Sequence, residues 1–328
     1  METILVTGAT GFLGKHLVEQ LKSDAPQARL RVLCRGASPW DEGGGIEVVR
    51  GNITSRDDVR RAAEGASEIY HLAGIVSRDS RDAERLYLTH VEGTRNVCEA
   101  ALAAGAGRVL HVSSSGTVGV SREPVVRDET SGYTNELVGE WPYYLSKIFA
   151  ERLALEYFER HQLPVVVVNP SLLLGPGDDR RSSTGDVALF LRGQILAVPL
   201  GGLNFVDARD AARGAIAGMR AGRPGERYLL GGVNWTFREF IGKVAAAARR
   251  RVPRLQPSLR MSLASTRMLR RLLPLIGREF ALDEASIKMS ALFWYCDSSK
   301  AREELGFIPR DPHETVRDTV QDLRRRLA

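Results

Sequence analysis

Short runs of β-branched and aliphatic residues recur along the first half of the chain with helical stretches between them, and this alternation limits the fold more than any other feature. The runs read TILVTG, LRVLC, IEVVRG, EIYHLAG, RVLHVSS and PVVVVNP. Strands that are apolar throughout, rather than alternating, are strands covered on both faces. The expected fold is therefore α/β: a parallel sheet with helices on either side. The intervening helices are legible in FLGKHLVEQLK, in SRDDVRRAAEG with its Ser/Asp start, in DAERLYLTHVEGTRNVCEAALAAGA and in WPYYLSKIFAERLALEYFERH.

After Pro170 the alternation weakens, broken by loops such as GPGDDRRSSTGD. Residues 1–170 are expected to form the main unit and residues 171–328 a smaller substrate-covering lobe, with a stretch near 205–232 returning to the main unit. A chain of 328 residues with 43% hydrophobic and 26% charged residues buries a large core, which excludes a disordered protein. It contains no apolar run long enough to span a bilayer, and Met1 leads straight into the first strand without a signal-like leader. Cys34, Cys98 and Cys296 are far apart and lack metal-ligand spacing, so a cytoplasmic protein without a metal site is expected.

In TILVTGATGFLGKHL the first strand runs through a glycine-rich turn into the first helix. Glycines allow a tight turn and let backbone approach a pyrophosphate, whose charge then meets the helix N-terminus. The strand before, the helix after and the βαβ unit closed by LRVLC make Gly8, Thr10, Gly11, Phe12, Leu13 and Gly14 candidates for dinucleotide binding. An acidic residue that would hold an NAD ribose is expected about twenty residues on. Cys34 and then Arg35 stand there instead, so NADP is the expected cofactor, with NAD the alternative. Asn52, followed by Ile53, ends the third strand and offers an amide oxygen to an adenine amino group. Leu72, Ala73 and Gly74 end the fourth, where small residues let a cofactor pass.

Ser113, Ser114 and Ser115 close the fifth strand, at the edge where open parallel sheets bind ligands. The helix that opens at Trp141 carries Tyr143, Tyr144 and Lys147, and spacings of four and three put either phenol on one face with the ammonium. A phenol ionises near 10. A nearby ammonium favours the phenolate and brings it toward useful acid–base chemistry. Spacing alone leaves both tyrosines open.

With these motifs in this order the chain resembles the extended short-chain dehydrogenase/reductase family. The motifs are TGATGFLG, HLAG, SSSGTVG, YLSK, VVVVNPSLLLGPGD, NFVDARDAARGAIAGM, GERYLLGG and DSSKAREELGFIPR, spread over nearly the whole chain. The resemblance implies a Rossmann-type doubly wound sheet with a smaller C-terminal substrate-binding lobe. It implies Tyr143 as proton donor or acceptor and Lys147 as the residue that binds the nicotinamide ribose and lowers the phenol's pKa. Ser114 would orient the substrate, with Ser115 as fallback, and Pro170 and Ser171 would lie beside the nicotinamide. His90 stands where many members have Asn, which puts proton relay there in question, and Asn52 stands where relatives often have Asp.

Arg35, SSSGTVG and NPSLLLGPGD resemble the dihydroflavonol-reductase-like branch, which is similar to hydroxysteroid dehydrogenases and hopanoid-associated proteins. That branch implies an NADP(H)-dependent carbonyl/secondary-alcohol oxidoreductase. The alternatives are a nucleotide-sugar epimerase with tightly held NAD and a non-catalytic dinucleotide sensor. The substrate pocket is expected from Ser77 to Arg85, Tyr133 to Trp141 and Ser171 to Phe205, whose apolar SLLLG and LFLRGQILAVPL suit a small hydrophobic substrate. A homodimer through helices around 82–104 and 143–161 is implied by the family. Lys243 to Arg278 holds ten basic residues and no acidic one, yet no aromatic side chain interleaves its arginines. A solvated helix face is expected there and no nucleic acid; the alternative is a surface for an anionic lipid or an acidic ligand.

Overall fold

The computed structural model describes residues 2–41, 45–272 and 284–327. Seven strands form one parallel sheet: β1 (Thr3–Thr7), β2 (Arg29–Cys34), β3 (Ile46–Arg50), β4 (Glu68–His71), β5 (Arg108–Val112), β6 (Val165–Pro170) and, from late in the chain, β9 (Arg227–Leu230). Their spatial order is β3-β2-β1-β4-β5-β6-β9. The direction of winding reverses between β1 and β4, so a crevice opens beyond their carboxyl ends. All five residues of β1 and all six of β6 are buried, as the apolar runs require.

Helices α1 (Phe12–Asp24), α2 (Arg56–Ala63), α3 (Ala83–Tyr87), α4 (Gly93–Ala104), α5 (Asn135–Val138) and α6 (Pro142–His161) fill the connections. One π-helical turn, Leu88–Glu92, joins α3 to α4 and brings His90 inward. Ile4, Val6, Tyr70, Leu110 and Val168 pack on the α1 face; Leu5, Ile69, Val109 and Val167 pack on the face of α2, α4 and α6.

The second half holds β7 (Leu172–Leu174), α7 (Gly185–Leu191), β8 (Gly202–Asp207), α8 (Ala208–Ala221), β10 (Val233–Thr236), α9 (Phe237–Ala247), α10 (Leu259–Leu272), α11 (Glu284–Met289), β11 (Phe293–Trp294), α12 (Ser299–Leu305) and α13 (Pro312–Leu327). A small sheet is built on β8, paired with antiparallel β10 and with parallel β7 and β11. Its core is formed by Val187, Phe190, Leu203, Phe205, Phe240 and Val320, among others. The return to the main sheet begins at Ala208 rather than near 205, because β8 stays in the small sheet to Asp207. From there α8 packs on the α1 face, and β9 adds the outer strand. Of the basic stretch Lys243–Arg278, residues 273–278 lie outside those described.

Candidate active site

The turn after β1 is closed to any side chain. Gly8 has φ of 73°, and a Cβ there would lie 2.6 Å from the backbone nitrogen of Ala73; a Cβ on Gly14 would lie 2.2 Å from the Gly8 carbonyl oxygen. Gly11 is the N-cap of α1, which has neither a side-chain cap nor an acidic residue in its first turn. Its leading N–H groups therefore face the crevice without a side-chain acceptor, the arrangement that receives a pyrophosphate. Phe12 and Leu13 send their side chains into the core and can offer a ligand only backbone, while Thr10 stays partly exposed. This backbone cradle fits a dinucleotide.

Arg35 follows β2 and is exposed. The neighbouring strand ends in Arg50, which pairs with Asp41 and donates to the Gly36 carbonyl. Asp41 thus folds back toward the strand ends although it lies well beyond them in sequence. Asn52 is exposed at the end of β3; its amide oxygen accepts from the Thr54 N–H at 3.3 Å, and its backbone N–H donates to Asp58 at 2.9 Å. Ile53 is core, wedged against Gly93, with its carbonyl held by Asn96 at 3.0 Å. Leu72 and Ala73 border the Gly8 turn, and the Ala73 N–H donates to Thr7 at 3.3 Å. Pro170 and Ser171 are buried at the end of β6, and the Ser171 hydroxyl has no hydrogen-bond partner among the described residues.

The structure separates the two tyrosines. The Ser114 hydroxyl acts on the Tyr143 phenol, favouring its ionised form. Tyr144 instead stacks on Trp294, 4.8 Å between ring centres, and occupies the space that a side chain at Gly116 would need. The charges that act on it belong to Arg78 and Asp186. Of the serines, Ser113 donates to the buried Glu151 at 2.5 Å and Ser115 is buried in the following turn, which leaves Ser114 facing Tyr143.

The expected lowering of the phenol's pKa by Lys147 is not what the geometry produces. Burial pushes Tyr143 well above its ordinary value, with Tyr144 adding to the rise and only the Ser114 hydroxyl opposing it. The Lys147 ammonium donates to the Val112 carbonyl at 3.0 Å. The Tyr143 phenol is therefore held in its neutral form. Burial brings Lys147 itself down to about 8, while Glu151, one helical turn on, pulls the other way. Below that value the ammonium is present, and above it the charge is lost. We expect kcat/KM for the cofactor to fall as pH rises through about 8. In Glu151→Gln, which removes the opposing carboxylate, the fall should move to lower pH. An unshifted profile in that variant would contradict the assignment.

Behind the reactive groups lie two buried polar networks. The Ile75 N–H donates to His90 Nε2 at 3.1 Å, so Nδ1 carries the proton and donates to Ser146 Oγ at 2.8 Å. Ser146 in turn donates to the Tyr143 carbonyl at 2.8 Å. Burial and the Lys147 charge keep His90 neutral, with its ring nitrogens committed to these partners. His90 thus ties the turn after β4 to the helix that carries Tyr143. In the other network Glu151 accepts from Ser113, from Thr117 at 3.1 Å and from Asn169 at 2.7 Å, and pairs with Arg227 at 3.1 Å. Asn169 also donates to the Ser114 carbonyl at 3.2 Å, which fixes the backbone carrying the Ser114 hydroxyl.

The front wall beyond Tyr143 is aromatic, made by Tyr144, Trp141 and Trp294. At its rim Arg78 pairs with Asp186 at 2.9 Å and donates to Ser286 at 3.3 Å. Tyr133, expected in the pocket, instead lies between the guanidinium groups of Arg152 and Arg227. Trp294 and Glu151 escaped sequence reasoning. Helical spacing from Lys147 could have found Glu151, but Trp294 arrives from a two-residue strand without a motif of its own. Among the described residues no group of His, Cys, Asp or Glu is arranged to hold a metal ion.

The model of the NAD dependent epimerase/dehydratase family matches residues 4–231. A putative dihydroflavonol 4-reductase from Synechocystis sp. is 32% identical over 98% of this chain and 93% of its own. Sterol demethylase protein B from Methylococcus capsulatus is 31% identical over 99% of both chains. The crystal structure of gox2253 superposes with a TM-score of 0.85 at 30% identity, covering 99% of each chain.

Proposed function

From the premise that this chain belongs to the NAD dependent epimerase/dehydratase family, within the extended short-chain dehydrogenases/reductases, we propose that it is an NADP(H)-dependent oxidoreductase. It would interconvert a carbonyl and a secondary alcohol on a small hydrophobic molecule. The observation that supports the reading is the Ser114 hydroxyl beside the Tyr143 phenol at the mouth of a glycine-lined cradle, with Lys147 one turn behind and an aromatic wall in front. Names of the two relatives, a reductase and a sterol-modifying protein, agree with a reducible, apolar substrate.

The cradle would hold the pyrophosphate on the α1 N–H groups, and Arg35 would meet a ribose 2'-phosphate. Bound there, the nicotinamide supplies hydride to a carbonyl carbon or takes it back. Ser114 then fixes the carbonyl oxygen by donating to it, and Tyr143 delivers the proton that makes the alcohol. Lys147 would hold the nicotinamide ribose as long as it stays charged. The reverse reaction returns the proton to Tyr143.

A homodimer is part of the same reading, supported by exposed apolar side chains on the expected helices: Tyr87, Leu88, Leu102 and Phe149. Among the described residues no helix is long and apolar enough to cross a membrane. The test is net consumption of NADPH with hydrophobic ketones. An epimerase would hold NAD through purification and consume no cofactor, and a sensor would bind cofactor without turnover.

A further inference from the structure

A second group of exposed apolar residues lies far from the expected dimer helices, in the lobe. Leu196 and Leu200 on one segment, Leu255 on another, and Met261, Met268 and Leu272 on α10 all stand in solvent, with Leu255 68% and Met261 64% exposed. The two segments adjoin: the Val198 N–H donates to the Leu255 carbonyl at 2.9 Å, and Gln256 donates to the Pro199 carbonyl at 3.3 Å. On α10 the spacings of seven and four set Met261, Met268 and Leu272 in one stripe, while Thr266 on another face is buried. Arg260, Arg267 and Arg271 each precede a stripe residue by one position. They form a row alongside the apolar one, with Arg267 paired to Glu284 between Arg260 and Arg271.

We propose that this surface docks the protein peripherally on an anionic phospholipid bilayer. An apolar stripe flanked by arginines is the pattern by which an amphipathic helix lies in a membrane interface. From Lys243 to Leu272 there is no acidic residue, so the patch repels a second copy of itself. The same stretch has no aromatic residue on which nucleic-acid bases could stack. A negatively charged apolar interface satisfies both features.

The location gives the docking a use. Arg267 pairs with Glu284 at 2.9 Å and so ties α10 to α11. Helix α11 carries Ser286 to the Arg78 rim and packs Met289 against the Trp141 cluster. A docked α10 thus holds the pocket mouth close to the lipid, where an apolar substrate is concentrated; this consequence rests on the proposed hydrophobic substrate, whereas the docking itself does not.

The experiment is co-sedimentation of the full chain with phosphatidylcholine vesicles that contain or lack phosphatidylglycerol. Binding is expected only with phosphatidylglycerol, and it should weaken as salt rises. Met261→Glu with Met268→Glu should reduce it at least about tenfold, as should Arg260→Glu with Arg271→Glu, because each pair removes one of the two attractions. Both double variants should keep the wild-type melting temperature and NADPH turnover with a water-soluble ketone. No sedimentation, equal sedimentation with both vesicles, or binding unchanged in both variants would overturn the proposal. Concentration-dependent self-association abolished by the methionine changes would overturn it too, by assigning the surface to a second copy. If vesicles bind but no ketone is turned over, the catalytic reading fails and the docking stands.

Discussion

Replacing Tyr143 by phenylalanine is expected to lower turnover by about a thousandfold while leaving cofactor affinity as it is, since a positioned general acid contributes on that order. The Tyr143 phenol is the one on which the Ser114 hydroxyl acts, and burial favours its protonated form. Without it the carbonyl oxygen still meets Ser114, but nothing delivers the proton. The fold should tolerate the change, because the ring keeps its contacts with His90 and Tyr144. Tyr144→Phe is the control. Its ring keeps the contacts with Trp141 and Trp294, so turnover should stay within about threefold of wild type. Steady-state kinetics with cofactor titration checks both, and equal effects of the two changes would refute the assignment.

Arg35→Asp should exchange the cofactor preference. A charge-assisted bond to phosphate is worth about 1.5–3 kcal/mol, so affinity for NADP(H) should fall about ten- to a hundredfold. The introduced carboxylate can accept from a ribose 2'-hydroxyl, so NAD(H) should bind better than before. Arg35 is exposed at the end of β2, whereas the adjacent Arg50 is occupied by Asp41 and the Gly36 carbonyl. Thermal shift with both cofactors reads the result. A wild-type protein stabilised more by NAD(H), or a variant with unchanged preference, would overturn the role given to Arg35.

Much of the main sheet was legible because its signals are local. Each buried strand is a contiguous apolar run, and the glycine turn and its helix are adjacent in sequence. The tyrosine pair was legible only in part. Helical spacing allows either phenol to meet Lys147, and only folding shows that Tyr143 turns to Ser114 while Tyr144 turns to Trp294. What sequence reasoning missed depends on residues that distant segments bring together. Asp41 reaches Arg50 across the strand ends, Asn169 and Arg227 converge on Glu151 from two other strands, and Asp186 closes over Arg78 from α7. The basic stretch shows a different failure. Its arginines stand out by count, but the apolar stripe beside them emerges only when helical phase and exposure are known together.

The central claim is that hydride passes between a nicotinamide and a carbonyl carbon while Tyr143 supplies the proton. Turnover of a hydrophobic ketone with NADPH deuterated at the transferring carbon position tests it most directly. The account predicts one deuterium on the carbinol carbon of the product for each NADPH consumed, and none formed by Tyr143→Phe. Product formed without net NADPH consumption, or an alcohol without deuterium at that carbon, would contradict it.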